Sequence, residues 1–183
     1  MANTVANVSV GKPAISGGIW RAPLGSTLPT DATTALDNAF KCLGYISSDG
    51  VTNAPNLETD NIRAWGGDVV YTYQTGKNDT FAWSMIESLA NSEVLKMVYG
   101  DDNVTTATAG TTVQANGKDL PEACYVIETI LRGGKARRIV IPDGKISEIG
   151  EIVYQDEAAI AYPVTVTAMP DSNGNTHYEY TAA

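Results

Sequence analysis

The last third of the chain constrains the fold most, because short strand-like segments follow one another at intervals of about ten residues. Residues 123–131 alternate, with Cys124 and Val126 on one side and Tyr125 and Ile127 on the other. Three further strands are predicted over residues 136–168, and a short one over "THYEY" near the C-terminus. This pattern is typical of an antiparallel β-sandwich or partial barrel, so we expect a mainly β fold.

Turn-forming sequences divide these segments. "RGGK" follows the first strand, Pro142-Asp143-Gly144 interrupts the next, and "DSNGN" precedes the terminal strand. Glycine, proline, asparagine and aspartate each favour turns for their own conformational reasons. We therefore expect the chain to reverse direction at each of the three sequences.

The middle of the chain predicts another hairpin, over residues 61–86. Apolar and aromatic side chains alternate in "VVYTY" and again in "TFAWSMI", and "TGKND" between them predicts the turn. The pair Gly66-Gly67 lies inside the first predicted strand, where it indicates a bulge or a close backbone approach. Residues 101–118, rich in threonine, glycine and asparagine, predict either two exposed strands or a mobile loop.

One helix is predicted at 92–99. Asn91 or Ser92 provides the N-cap, an apolar stripe follows, and Gly100 ends the helix.

A second short helix is predicted at 32–42. Thr30 or Asp31 provides a cap, and Leu36, Phe40 and Leu43 recur at the spacing of one helical face. The two helices would flank the sheet.

Length and composition indicate one domain with an extended arm. Residues 1–14 are polar, with scattered valines and Pro13, and read as the arm, so the domain spans 15–183. The chain shows neither a secretion signal nor an apolar run of the roughly 18 residues that a membrane helix needs. We therefore expect synthesis in the cytosol, with Cys42 and Cys124 reduced.

The sequence offers little for catalysis, cofactors or metals. His177, the single histidine, has neither an orienting partner nor a nucleophile at a suggestive spacing. Asp171, Asn173 and Asn175 resemble part of a calcium loop, but the glycine is misplaced and an Asn-Gly turn explains them better. We predict no enzyme activity, no cofactor and no metal site.

Charge points to self-association. The chain has a net charge of −9, which repels nucleic-acid phosphates. Against this background Arg132, Lys135, Arg137 and Arg138 form one basic stretch. They suit either head-to-tail packing against another copy or a solvated sheet edge. Since Arg137 and Arg138 are adjacent, their side chains point to opposite faces of a strand, so at least one is outward or pairs with a carboxylate.

Several segments in order, "LGY…DGV", "WGGD", "EVLKMVYGDDN" and "GNTHYEY", resemble the major tail, or tail tube, proteins of phages with long non-contractile tails. The likeness runs from about residue 8 to the C-terminus. It implies a β-sandwich with a flanking helix, and hexameric rings that stack into a hollow tube of the virion. It also implies that the tube encloses a tape-measure protein and conducts genomic DNA, without membrane insertion.

An acidic channel lining would keep DNA from binding, and Asp68, Glu148 and Glu151 are candidate lining residues. Outward exposure to solvent is the alternative for all three. Glu148 and Glu151 fall on opposite faces of a regular strand unless a bulge at Gly150 resets the register.

Two other functions remain open from the sequence. The tryptophans Trp20, Trp65 and Trp83, with nine tyrosines, could form the sugar-stacking face of an adhesin or carbohydrate-binding domain. A hydrolase has the least support.

Overall fold

The structure is mainly β, as the sequence predicts. The computed structural model describes residues 3–183, so the first two residues of the predicted arm lie outside the described residues. Within this range the α-helix α1 spans Ser92–Tyr99, and single 3-10 turns occupy Val5–Asn7, Asp101–Asn103 and Arg132–Gly134. The strands are β1 (Lys12–Pro13), β2 (Ile19–Pro23), β3 (Lys41–Cys42), β4 (Ile46–Arg63), β5 (Val69–Met85), β6 (Val104–Ala107), β7 (Gly110–Val113), β8 (Ala123–Ile130), β9 (Ala136–Ile149), β10 (Tyr162–Ala168) and β11 (Tyr178–Thr181).

One curled antiparallel sheet contains most of the strands, in the order β3-β2-β8-β9-β10-β5-β4. β1 pairs with β8, and β11 pairs with β9. In a flat sheet β8 and β5 would lie three spacings apart, about 14 Å. Instead Trp83 of β5 packs on Tyr125 of β8, with ring centroids 5.7 Å apart. The sheet therefore wraps around its core as a partial barrel does.

The 101–118 segment contains two short strands, which are exposed except for Val104. β6 and β7 pair as a separate hairpin, which decides between the alternatives left open for this segment.

Two clusters of buried side chains lie on the two faces of β8. Tyr125 and Ile127 belong to the larger cluster, with Phe81, Met85 and the buried side of α1. Cys124 and Val126 face the smaller cluster, which is covered by Phe40 and neighbouring residues. The alternation predicted for β8 is confirmed, and both of its faces are buried.

The hairpin of β4 and β5 differs from the sequence prediction. β5 runs without interruption through the predicted "TGKND" turn, because Asn78 and Asp79 pair with Asn56 and Pro55 of β4. The chain reverses instead at residues 64–68, where Gly66 and Gly67 have φ values of 124° and 99°. The glycine pair predicted to form a bulge in a strand therefore forms the turn, since φ angles in this range favour glycine.

The turn predicted at Pro142-Asp143-Gly144 is also wrong, because β9 is continuous there. The pairing of β8 with β9 shifts register at this point, so Pro142 and Asp143 lie in a bulge. A Cβ at Gly144 would lie 2.8 Å from Val166 and 3.0 Å from Tyr125. Glycine is required here by close packing between strands.

The helix predicted at 92–99 is confirmed, with Asn91 as N-cap and Gly100 at its end.

The helix predicted at 32–42 is absent, and bends and turns occupy the segment before β3. The Asp31 carboxylate accepts hydrogen bonds from the backbone N–H groups of Thr33 and Thr34, each at 2.6 Å. Such local bonds compete with helix formation. Hydrogen bonds to the Asp31 carboxylate hold its pKa well below its usual range, and the bond from the Thr34 hydroxyl has the largest effect. Arg138, distant in sequence, also binds the carbonyls of Asp31 and Thr34.

Candidate assembly surfaces

The distal half of the β4–β5 hairpin projects beyond the rest of the sheet. β10 pairs with β5 only from Asp79 to Met85, so residues 69–78 of β5 pair only with β4. Residues 55–75 are all exposed. We call residues 55–78 the ribbon. At about 3.3 Å per residue, the strand segment 69–78 spans roughly 30 Å.

A bulge at Thr75 exchanges the two faces of β5. Tyr73 pairs with Asp60, whereas Phe81 pairs with Asn53. Asp60 and Asn53 lie seven positions apart on one strand, so they face opposite sides. The aromatic side chains that a regular strand would place on one face are therefore divided, with Phe81 and Trp83 in the core and Tyr71 and Tyr73 on the other side.

The ribbon exposes apolar side chains that nothing in the described chain covers. The exposed fractions are 53% for Ile62, 61% for Tyr71 and 107% for Trp65. The rings of Tyr71 and Tyr73 stack at 6.2 Å. Because an isolated two-stranded hairpin is at best marginally stable and exposed apolar patches mark contact sites, the ribbon is a candidate assembly surface.

A second surface is the face of β4, β5, β10 and β9 that points away from the core. In β5 and β10 the core side is buried, while Ala82, Ser84 and Thr165 on the opposite side are partly exposed. The register aligns Thr52, Ala82, Thr165 and Glu148 across the four strands. We call this the small-residue face. It also carries Lys145, whose ammonium group lies 2.8 Å from the Asp119 carboxylate.

The three acidic candidates are exposed but do not form one cluster. Asp68 lies at the ribbon turn, and Glu148 lies on the small-residue face near the end of β9. Glu148 aligns with Ala82 of β5 through Thr165 of β10. The chain from Ala82 back to Asp68 is on the order of 40 Å long, so Asp68 and Glu148 lie far apart. Glu151 lies in the loop after β9. The bulge in this region falls at Ser147, not at Gly150.

The adjacent arginines of β9 lie on opposite faces, in different environments. Arg137 pairs with Glu179 of β11, and both side chains are partly exposed. The Arg138 side chain is 4% exposed and lies 3.0 Å, from Nε to Oε1, from Glu128. Its Nη1 donates to the carbonyls of Asp31 and Thr34 at 2.8 and 2.9 Å. Arg138 thus holds the 31–34 segment to the sheet within the subunit.

The N-terminal arm packs against the other end of the basic stretch. β1 pairs with Thr129 and Ile130 of β8. The Arg132 backbone N–H donates to Ser9 Oγ at 2.8 Å, and its Nη1 donates to the Val5 carbonyl at 2.6 Å. Lys135 is exposed in the turn that follows. The described part of the arm, which includes the 3-10 turn Val5–Asn7, therefore lies against its own subunit.

His177 has an orienting carboxylate, which the sequence did not reveal. Its Nδ1 lies 2.7 Å from Oδ2 of Asp79, a residue that is 1% exposed. Burial would raise the pKa of Asp79, but hydrogen bonds from Thr176, Asn53 and His177 outweigh burial and lower it. Since Asp79 lies where β5 leaves β10, these bonds tie the C-terminal segment to the base of the ribbon.

The Asp171 carboxylate is engaged by its own loop. Oδ1 accepts from the N–H groups of Asn173 and Asn175, and Oδ2 accepts from the Tyr178 hydroxyl at 2.6 Å. These bonds lower the pKa of Asp171, the tyrosine bond most strongly. The loop has the geometry of a turn. Among residues 3–183, no three histidine, cysteine or acidic side chains gather as metal ligands would.

The three tryptophans lie in three environments. Trp65 is at the ribbon turn, Trp83 is in the core, and Trp20 packs against the smaller cluster. They do not form a single stacking face for a sugar.

Comparison with known proteins identifies the family of this mainly β chain. A family model described as phage tail tube protein matches residues 5–182. The chain therefore belongs to the phage tail tube protein family, and it is a structural component of a phage tail and so of the virion. Membership of a structural family supports assembly with itself and with other tail proteins, and a role without catalysis.

Other comparisons add little. No curated protein matches the chain. A solved structure described as the anti-feeding prophage cap, a tube-terminating cap, aligns over 100% of both chains with a TM-score of 0.48 and 10% identity. No helix within residues 3–183 has the length and apolar character needed to span a membrane.

Proposed function

We propose that this chain is the subunit of a tail tube and assembles into hexameric rings that stack around a channel for DNA. The observation that carries the proposal is the family match over residues 5–182 together with a ribbon whose residues 55–75 are all exposed. A two-stranded ribbon of this length gains stability when neighbouring copies cover its apolar residues. The same channel would hold a tape-measure protein during assembly.

The small-residue face is proposed to line the channel. Its threonine, alanine and serine side chains are short and uncharged, so they leave space for a duplex and offer its phosphates no ionic contact. Glu148 supplies negative charge there, and Lys145 is neutralised by Asp119. A conduit must not retain its cargo, and each lysine or arginine contact to phosphate that is avoided removes one counterion-release contribution to binding. Glu151, in the loop after β9, would extend the acidic lining, whereas Asp68 at the ribbon turn is assigned to the contacts between copies.

Contacts between copies are assigned to the ribbon, the N-terminal arm and the exposed part of the basic stretch. Arg132, Lys135 and Arg137 can meet carboxylates of a neighbouring copy at the rim of an interface, where charges set orientation and association rate. Arg138 is omitted from this set because it is buried in its own subunit.

Sedimentation velocity over a range of concentrations tests the assembly. The proposal requires species of six times the 19.4 kDa subunit mass, or larger particles built from them. A species that remains at the subunit mass at every concentration would refute it.

Substitution to lysine tests the channel lining. Glu148→Lys tubes should bind duplex DNA in a salt-dependent manner, whereas wild-type tubes should not. Asp102→Lys is the matched control, because Asp102 is exposed beside α1, on the core side of the sheet. Equal DNA binding by the two variants would show that the small-residue face does not line the channel.

A further inference from the structure

The N-terminal arm and the turn after β8 enclose an apolar groove. Its volume is about 480 Å³. The apolar part of its wall comes from Val8, Val10, Ile130 and Leu131. Val8 and Val10 are 66% and 65% exposed, so the arm leaves much of their apolar surface open to solvent.

Arg132 builds the groove and contributes to its charge. Its two hydrogen bonds to the arm, to Ser9 Oγ and the Val5 carbonyl, fix one wall against the other. Lys12 is the other charged residue of the lining, and no carboxylate belongs to it within the described chain. The groove is therefore an apolar slot with a basic rim.

The ribbon turn has the complementary properties. Trp65 is 107% exposed, so its ring contacts nothing in its own subunit, including its own groove. Gly67 donates to the Ala64 carbonyl and Ala64 to the Asp68 carbonyl, which closes the turn beneath the ring. Arg63 donates to the Gly67 carbonyl at 2.8 Å, which fixes its guanidinium against the turn.

The charges beside the ribbon turn are opposite in sign to those at the rim of the groove. Two carboxylates, Asp60 and Asp68, flank the turn, and the nearest cation, Arg63, is engaged within it. A large aromatic ring with acidic neighbours is thus presented at the end of the projecting two-stranded ribbon.

We propose that Trp65 of one copy inserts into the arm groove of the next copy, with Asp68 facing Lys12 and Arg132. The inference rests on the proposed function, because it names the contact through which tube subunits join. Tryptophan buries about 150–250 Å² of surface and is enriched among residues that dominate interfaces. Because ring and groove are different patches of the same chain, the contact is head-to-tail and repeats from copy to copy, as a stack of rings requires.

Trp65→Ala tests the insertion. The variant should melt like the wild type, since Trp65 makes no packing contact within the subunit, but the concentration needed for assembly should rise by roughly tenfold or more. Leu89→Ala is the matched control, because Leu89 is 100% exposed and lies outside the ribbon and groove. It should assemble like the wild type.

Cross-linking identifies the partner site. Trp65→Cys protein mixed with Val10→Cys protein should form a disulfide-linked dimer under oxidising conditions in assembled particles, and neither variant alone should do so. A dimer of Trp65→Cys with itself would show that ribbon turns meet each other and would overturn the insertion.

Failure of the proposed function and failure of the Trp65 contact alone would give different results. Wild-type protein that never assembles would refute the proposed function and this contact with it. Wild-type tubes with equally efficient assembly of Trp65→Ala, or tubes that give no mixed cross-link, would overturn only the contact.

Discussion

The adjacent arginines of β9 provide a matched pair of sites. Substituting each one tests which charge stabilises the folded subunit and which is available for contacts between copies. We predict that Arg138→Ala destabilises the isolated subunit strongly and Arg137→Ala hardly at all. Both changes remove one guanidinium group from the same strand, so differences in strand propensity cancel. The two sites differ in burial and in what the guanidinium binds.

The structure sets the size of each effect. Removing Arg138 leaves Glu128, whose side chain is 15% exposed, and the carbonyls of Asp31 and Thr34 without this partner. Breaking a buried ion pair from one side costs about 3–5 kcal/mol. We expect the lower end, about 3 kcal/mol, because Glu128 can reach some solvent. Arg137 and Glu179 are 37% and 41% exposed, and such a pair contributes about 0–1 kcal/mol.

Urea unfolding of the two variants, followed by tryptophan fluorescence, checks the prediction. With an m-value of about 2 kcal/mol/M, a difference of about 2 kcal/mol separates the unfolding midpoints by about 1 M. A cycle with Glu128→Gln should show that the Arg138 and Glu128 substitutions are not additive. Equal midpoints for Arg137→Ala and Arg138→Ala would refute the assignment of Arg138 to the inside of the subunit.

Three further predictions concern the arm, the ribbon and its base. Removing residues 1–12 should leave the fold intact but impair stacking, and tubes of normal length in micrographs would contradict this. Replacing Tyr71 and Tyr73 with serine should weaken assembly without lowering the subunit's melting temperature, and a large drop in that temperature would instead assign the rings to the fold. Asp79→Asn should cost stability at pH 7, and in urea titrations this cost should shrink as pH falls below about 3.9. The pKa of Asp79 is lowered by folding, so its contribution is present above the unfolded value of about 3.9 and is lost as pH falls from that value through the lower folded one. An Asn variant whose stability changes with pH as the wild type's does would count against the role of this carboxylate.

The sequence was sufficient to predict the elements whose structure depends on residues close together in the chain. Helix α1 begins at Asn91 and ends at Gly100, and both residues act on the adjacent backbone. β8 was readable because both of its faces are buried, which gives a continuous apolar run from Ala123 to Ile127. These features depend on residues that are close together in the sequence, so they can be recognised from the sequence alone.

The wrong predictions of turns and of a helix concern segments whose local structure is determined by residues distant in the sequence. Gly76 and Asn78 favour a turn, yet pairing with β4 keeps them in a strand. Pro142 and Asp143 lie in a bulge of β9 opposite β8, between the part that pairs with β11 and the part that pairs with β10. The 31–34 segment is held by Arg138, which lies more than a hundred residues away.

The candidate surfaces were only partly predictable for the same reason. Composition predicted an acidic subunit and a basic stretch, but the bulge at Thr75 decides which face carries Tyr71 and Tyr73. Likewise, only the fold separates buried Arg138 from partly exposed Arg137. The long exposed ribbon did leave a signal, since residues 46–63 contain few apolar residues for so long a strand.

Negative-stain microscopy of the concentrated, purified chain decides whether copies tile into a hollow tube. The proposed function predicts rings with six-fold symmetry in end views and cylinders with an open channel in side views. A field of dispersed single subunits at every concentration and salt condition, or solid aggregates without a channel, would contradict the proposal.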